Sequence, residues 1–127
     1  MAEALFSGVN QIAFASVDPK KLASFYTETL GLSYLFETGG MHFLDAGGGV
    51  RLMIGPCYGG REVGGGDVMV YFEPKEWRDA IAKLEAAGVD FVDGGMELMK
   101  EAGRTYALRA FRDPEGHQVA LLGWRAD

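Results

Sequence analysis

Two helical patterns lie along the chain, and each follows a run of residues typical of a β-strand. In the first, Asp18 is suited to cap a helix that begins with Pro19, and Gly31 is suited to end it. In the second, Pro74 is suited to open a helix that Gly88 closes. Apolar residues recur on one face of each predicted helix, namely Leu22, Phe25, Tyr26 and Leu30 in the first and Trp77, Ile81 and Leu84 in the second.

The remaining apolar runs predict four strands in each half of the chain. Those of the first half cover residues 9–17, 33–37, 41–45 and 50–54, and those of the second cover residues 68–72, 89–92, 106–111 and 118–122. Both halves therefore follow the order βαβββ. We expect one domain over residues 1–127, with module one at about 7–55, a glycine-rich connection at 55–67 and module two at about 68–124.

Alternation along the predicted strands separates two faces of each sheet. One face carries large apolar residues and is expected to pack on the helices. The other is mixed in character, which suits the lining of a ligand cavity better than the filling of a core. Its members are Gln11, Ala13, Arg51, Met53, Met69, Tyr71, Gln118, Ala120 and Leu122.

Composition and charge narrow the functional classes. The net charge is −6 and the basic residues are scattered, so nucleic-acid binding is not expected. No apolar stretch is long enough to span a bilayer, and no secretory signal is recognisable at the N-terminus. Cys57 is the only cysteine and has no partner for a disulfide within the chain. These features predict a cytoplasmic protein that does not associate with membranes.

Three segments together resemble the glyoxalase, bleomycin-resistance and extradiol-dioxygenase superfamily, also called the vicinal oxygen chelate superfamily. They read VNQIAFASVDPKKLASFYTETLGLSYLFE, FEPKEWRDAIAKLEAAGVDF and AFRDPEGHQVALLGW, and with the strands between them they cover nearly the whole chain. The resemblance implies an α+β fold in which two βαβββ modules form a cup-shaped, mixed and antiparallel sheet with the helices on its outer face.

The same resemblance locates the positions from which related enzymes hold a divalent metal. They correspond to Gln11 and Arg51 in the first module and to Met69 and Ala120 in the second. Alanine has no donor atom, methionine offers a soft thioether, and the fixed charge of arginine repels a cation. We therefore expect neither a metal ion nor another cofactor.

Other side chains have both functional and structural interpretations. His42 could point into the cup as a general base, since histidine ionises near neutral pH, or it could lie at a strand edge. His117 follows the turn DPEG and is expected to stabilise it. Trp124 is expected either to close the cup or to support a subunit contact. The predicted ligand-binding residues are Gln11, Arg51, Met53, Met69, Tyr71, Gln118 and Trp124.

These observations lead to three functional hypotheses. The first is a metal-independent protein that binds a small molecule in the cup, in the manner of the superfamily's antibiotic-resistance members, which sequester their ligand. The alternative is an enzyme of the same superfamily, such as a lyase, isomerase or dioxygenase-like protein, with an atypical or metal-free site. Its candidate residues are Arg51 as an anion clamp, His42 as a base and Tyr71 as a hydrogen-bond donor. A third is a structural or regulatory partner protein. The resemblance also implies a homodimer.

Overall fold

A computed structural model describes residues 4–56, 63–64 and 68–127. The chain divides into two compact units, Met1–Gly59 and Gly60–Asp127. The division falls inside the predicted glycine-rich connection, residues 55–67. Cys57 and most of this connection lie outside the described residues.

The first unit has the predicted βαβββ order. Its sheet is arranged β1-β4-β3-β2, with β1 parallel to β4 and the other neighbours antiparallel. This arrangement places the two parallel strands side by side and the β2 strand at an edge. The elements are β1 (Gln11–Ser16), helix α1 (Pro19–Ser24), which continues as a π-helical turn (Phe25–Thr29), β2 (Ser33–Thr38), β3 (Met41–Gly47) and β4 (Val50–Pro56).

The helical segment made of α1 and its π-helical turn begins and ends where the sequence predicts, although the π-helical conformation of Phe25–Thr29 was not predicted. The Asp18 carboxylate accepts a hydrogen bond from the backbone N–H of Lys21 at 3.3 Å, and Pro19 occupies the first helical turn. Gly31 has φ +82°, a left-handed conformation that glycine adopts without steric cost. The helix packs on β3 and β4, and the fully buried side chains at this contact form the core of the unit: Leu22, Tyr26, Leu44, Leu52 and Ile54.

The second unit repeats the order but contains one additional strand. Its sheet is arranged β5-β9-β8-β6, with β5 parallel to β9, and β7 also pairs with β8. The parallel pair again joins the first and last strands of the unit. The elements are β5 (Val70–Phe72), helix α2 (Trp77–Ala86), β6 (Asp90–Phe91), β7 (Met96–Glu101), β8 (Arg104–Arg112) and β9 (Gln118–Ala126).

The predicted start of α2 was wrong by three residues. Pro74 precedes the helix, and the N-terminal cap is Glu76, whose carboxylate accepts a hydrogen bond from the Asp79 backbone N–H at 2.7 Å. The first backbone N–H groups of a helix have no acceptor within the helix, and the Glu76 carboxylate supplies an acceptor to one of them. The helix therefore begins at Trp77. The predicted end at Gly88 is confirmed by its φ of +72°.

Strand β7 was not predicted from the sequence. The sequence MELMKE has no clean alternation, and all six side chains are exposed. The strand pairs with β8 in a tight hairpin, because Glu101 and Arg104 are register partners on either side of Ala102 and Gly103, and Gly103 has φ +81°. The run predicted at residues 89–92 is reduced to the two residues of β6.

The predicted α+β class is confirmed by the two mixed sheets and two helical segments. Among the residues described, no helix has the length and apolar character required to cross a bilayer.

Candidate functional site

The side of the first sheet opposite α1 carries three of the predicted ligand-binding residues. Strand register sets Gln11 directly beside Arg51, and Met53 follows two residues later on the same face. The intervening Leu52 and the following Ile54 are buried on the side where α1 packs. We call the surface that carries Gln11, Arg51 and Met53 the helix-free face of the first sheet.

Two phenylalanines that the sequence prediction missed lie on this face. Phe36 and Phe43 are cross-strand partners, with ring centroids 4.5 Å apart and an interplanar angle of 18°. Phe43 is buried, whereas Phe36 is 43% exposed. Phe43 is the register partner of Met53, so strand alternation could have assigned it to this face. Phe36 could not be assigned in this way, because a bulge between Tyr34 and Phe36 interrupts the alternation of β2.

Arg51 completes this aromatic pair with a cation. Its guanidinium carbon lies 5.5 Å from the centroid of the Phe43 ring, within the range of a cation–π interaction. Asp45 is its cross-strand partner, yet an Asp45 oxygen accepts a hydrogen bond from Gly47 N–H at 2.8 Å. Arg51 forms no ion pair with any carboxylate that the structure describes. Its charged donors therefore have no described anionic partner.

The second sheet has a comparable aromatic group on the face away from its buried Val119 and Leu121. Tyr106 and Trp124 are cross-strand partners with ring centroids 5.0 Å apart. The Arg104 guanidinium lies 3.8 Å from the Trp124 ring centroid. Trp124 is thus an integral part of β9, whereas the sequence prediction ended that strand before it.

The other predicted residues of the second unit share this face, which we call the helix-free face of the second sheet. Tyr71 pairs with Ala120, and Gln118 pairs with Arg112. The Tyr71 hydroxyl lies 4.0 Å from the Met69 sulfur, which is a weak contact. Tyr71 is 49% exposed.

His42 has neither of the two positions expected from the sequence. It is a register partner of Ile54 and is buried on the α1 side of the first sheet. Its Nδ1 lies 2.8 Å from the Tyr34 hydroxyl. Because His42 and Arg51 lie on opposite faces, the sheet separates the proposed base from the proposed anion clamp.

His117 has the structural position expected from the sequence. Its Nδ1 lies 2.8 Å from one oxygen of Asp113, and the other oxygen accepts hydrogen bonds from the backbone N–H groups of Glu115 and His117. Asp113 and His117 are both buried. This network holds the DPEG turn closed.

The positions that correspond to metal ligands do not fit a divalent cation. Gln11 offers one neutral oxygen, and its cross-strand neighbour Arg51 is permanently positive. Ala120 is fully buried and has no donor, while Met69 offers only a thioether. Within residues 4–56, 63–64 and 68–127, no three His, Cys, Asp or Glu side chains are grouped to hold a metal ion.

Solved structures with the same fold belong to proteins of different described functions. The antibiotic binding protein TnmS3 from Streptomyces sp. CB03234 is 19% identical, with a TM-score of 0.78 over 98% of this chain and 100% of that one. A superfamily member from Sphaerobacter thermophilus is 22% identical, with a TM-score of 0.74 over 94% and 98%. Lactoylglutathione lyase from Agrobacterium tumefaciens is 16% identical, with a TM-score of 0.72 over 94% and 95%.

Sequence comparison supplies the family. No curated protein matches the chain significantly. The family model described as Glyoxalase/Bleomycin resistance protein/Dioxygenase superfamily matches residues 8–121. This range includes both helices and strands β1 to β8, and it ends within β9. The chain belongs to the glyoxalase, bleomycin-resistance protein and dioxygenase superfamily.

Proposed function

We propose that this protein binds a small planar molecule without a metal ion and acts by sequestering it. The observation that carries the proposal is the stacked pair of Phe36 and Phe43 with Arg51 beside it. The cation beside this aromatic pair has no anionic partner among the described residues, which matches a ligand that combines a planar ring with a carboxylate or similar oxyanion.

The energetics of such a site rest on burial and stacking. An aromatic contact contributes about 0.5–1.5 kcal/mol beyond the area that it buries. A charge-assisted hydrogen bond contributes about 1.5–3 kcal/mol, and a guanidinium can form two in parallel with one carboxylate. Gln11, directly beside Arg51, adds a neutral donor and acceptor. No step in this mode of recognition requires a bond to be made or broken.

The aromatic group of the second unit supports the same mode of binding. Tyr106, Trp124 and Arg104 repeat the combination of two rings and a guanidinium. The side chains of Tyr71, Met96 and Met99 are about half exposed or more and offer apolar surface. Methionine adapts to ligands of different shape because its side chain is flexible and polarisable.

Comparison with the superfamily also favours binding over catalysis. TnmS3 is described as an antibiotic binding protein, and its fold covers nearly the whole of this chain. An antibiotic or another planar natural product is therefore the ligand class that we propose. We also propose that the protein works as a homodimer, since the exposed side chains of Tyr71, Met96 and Met99 are suited to a subunit contact.

The alternative, an enzyme of the superfamily, draws support from the likeness to a lactoylglutathione lyase. The positions of its candidate catalytic residues support this alternative less well. His42, its candidate base, lies on the face of the sheet opposite Arg51. Tyr71, its candidate hydrogen-bond donor, is half exposed, and its hydroxyl lies 4.0 Å from the Met69 sulfur.

A thermal-shift screen tests the proposed function. Planar aromatic carboxylates, aromatic antibiotics and divalent metal salts are each added to the purified protein, with and without EDTA. A ligand that binds only the folded state raises the Tm by mass action. We expect planar aromatic compounds to raise the Tm equally in both conditions. A rise that only divalent metals produce, or that EDTA abolishes, would overturn the proposal.

A further inference from the structure

A second group of polar side chains lies on the α1 side of the first sheet. A cavity of about 400 Å³ is lined there by helix α1 and by strands β2 and β3. Tyr34, Glu37 and His42 contribute from the strands. The cavity is on the opposite side of the sheet from Arg51 and Phe43, so it is separate from the site proposed above.

The helix contributes residues at helical spacing. Lys20, Ser24 and Thr27 lie four and three positions apart on one face of α1 and its π-helical turn. The Ser24 hydroxyl donates a hydrogen bond to the Lys20 backbone carbonyl at 3.2 Å, and the Thr27 hydroxyl donates one to the Ala23 carbonyl at 3.1 Å. Their oxygen lone pairs remain as acceptors for a ligand. A π-helical turn is itself frequent at functional sites.

The contacts of His42 with Tyr34 and Glu37 together favour a proton on Nε2 of the imidazole. When the Tyr34 hydroxyl donates to Nδ1, a neutral imidazole carries its proton on Nε2. A protonated imidazole carries one there as well. The remaining tautomer would turn the Nε2 lone pair toward the Glu37 carboxylate, which is unfavourable. His42 therefore presents an N–H donor on the Glu37 side.

The spacing of this donor and the carboxylate fits an inserted hydroxyl group. His42 Nε2 lies 3.9 Å from Glu37 Oε2, which is too long for a direct hydrogen bond. A hydroxyl between them can accept from Nε2–H and donate to the carboxylate. A carbonyl can only accept and an amine cation can only donate, so neither matches both groups.

Lys20 determines the character of the rest of the ligand. Lys20 forms no ion pair with a carboxylate in the described part of the chain, and it is not paired with Glu37 across the cavity. An anionic group is attracted to Lys20 and repelled by Glu37. The cavity thus favours a molecule that carries both a hydroxyl and an anionic group.

We propose that this cavity binds a small hydroxylated carboxylate of the sugar-acid class. One ligand hydroxyl lies between His42 and Glu37, the carboxylate lies toward Lys20, and further hydroxyls donate to Ser24 and Thr27. The site is independent of the proposed function and holds whether or not the helix-free faces bind a planar molecule.

Imidazole NMR provides a direct test, because the chain has two histidines and only one lines this cavity. Glycerate is titrated while the ring signals of His42 and His117 are followed. Propionate, which lacks hydroxyls, and glycerol, which lacks charge, are the matched controls. We expect glycerate to shift the His42 signals and not those of His117, and each control to bind at least about fivefold more weakly.

Variants locate the effect. Glu37→Gln and Lys20→Met should each weaken glycerate binding at least about fivefold, while Lys21→Met, a neighbouring lysine that does not line the cavity, should leave it within about twofold. Both test positions are on exposed residues, so the variants are expected to fold. Unmoved His42 signals at about 50 mM glycerate, equal binding of propionate, or equal loss in Lys21→Met would each overturn the proposal.

Discussion

The guanidinium of Arg51 lies over the ring of Phe43, 5.5 Å from its centroid, while Asp45, its cross-strand partner, bonds to Gly47 instead. This relationship leaves a cation beside an aromatic pair without a described anionic partner. Among the described residues, no salt bridge joins Arg51 to Asp45 or Glu37.

Replacement of Arg51 tests its role as the anion clamp. We expect Arg51→Met to weaken binding of an anionic aromatic ligand about tenfold or more, because the charged donors are lost while the apolar stem is retained. Titration calorimetry provides the measurement. Arg78→Met, at an exposed position of helix α2, is the matched control, and this variant should bind the ligand as tightly as the parent does. Binding to Arg51→Met within about twofold of the parent would refute the clamp.

Replacement of Phe36 tests the stacking contribution. Phe36 is the more exposed ring of its pair, so Phe36→Ala should cost little stability but weaken binding of a planar ligand about fivefold or more. The edge-strand residue Leu35, of similar exposure, provides the control variant Leu35→Ala. Equal losses in both variants would indicate a general effect of β2 on the sheet, not stacking.

The purified protein is expected to contain much less than one metal ion per chain. Gln11, Arg51, Met69 and Ala120 offer no adequate ligand set, so chelation should change neither the Tm nor ligand binding. Elemental analysis of purified protein before and after EDTA provides the measurement. About one nickel, iron, zinc or manganese ion per chain, lost together with stability on chelation, would contradict the metal-independent mode.

A homodimer is expected at micromolar concentration. An interface of ordinary size persists at this concentration, and Trp124 is a contributor expected from the sequence. Sedimentation velocity over a tenfold dilution series measures the mass. A single monomeric species throughout would refute the proposed dimer.

Loss of the Asp113 carboxylate should destabilise the second unit. Asp113 is buried, and its oxygens accept from two backbone N–H groups and contact the His117 ring. Asp113→Ala leaves these donors without that partner, at a cost of about 1–3 kcal/mol in the free energy of unfolding. Urea denaturation measures the loss. Glu85→Ala, on the exposed side of α2, should change stability by less than about 0.5 kcal/mol.

Local signals in the sequence determined the helices, most strands and the fold class. Asp18, Pro19 and Gly31 act within a few residues of the backbone that they cap or turn, so their effect is readable without tertiary contacts. Alternation likewise grouped Gln11, Arg51 and Met53 correctly on one face. That the two modules act as one domain stays a prediction, and so does the binding role of the seven site residues.

Tertiary structure decided the features that depend on how the strands pair. Strand β7 forms by pairing with β8 across the short turn at Ala102 and Gly103, although its own sequence lacks alternation. The bulge in β2 shifts the phase by one residue, so that Phe36 meets Phe43 on one face while Tyr34 reaches His42 on the other. A shift of one residue reverses every side chain that follows, and only strand pairing fixes where it occurs.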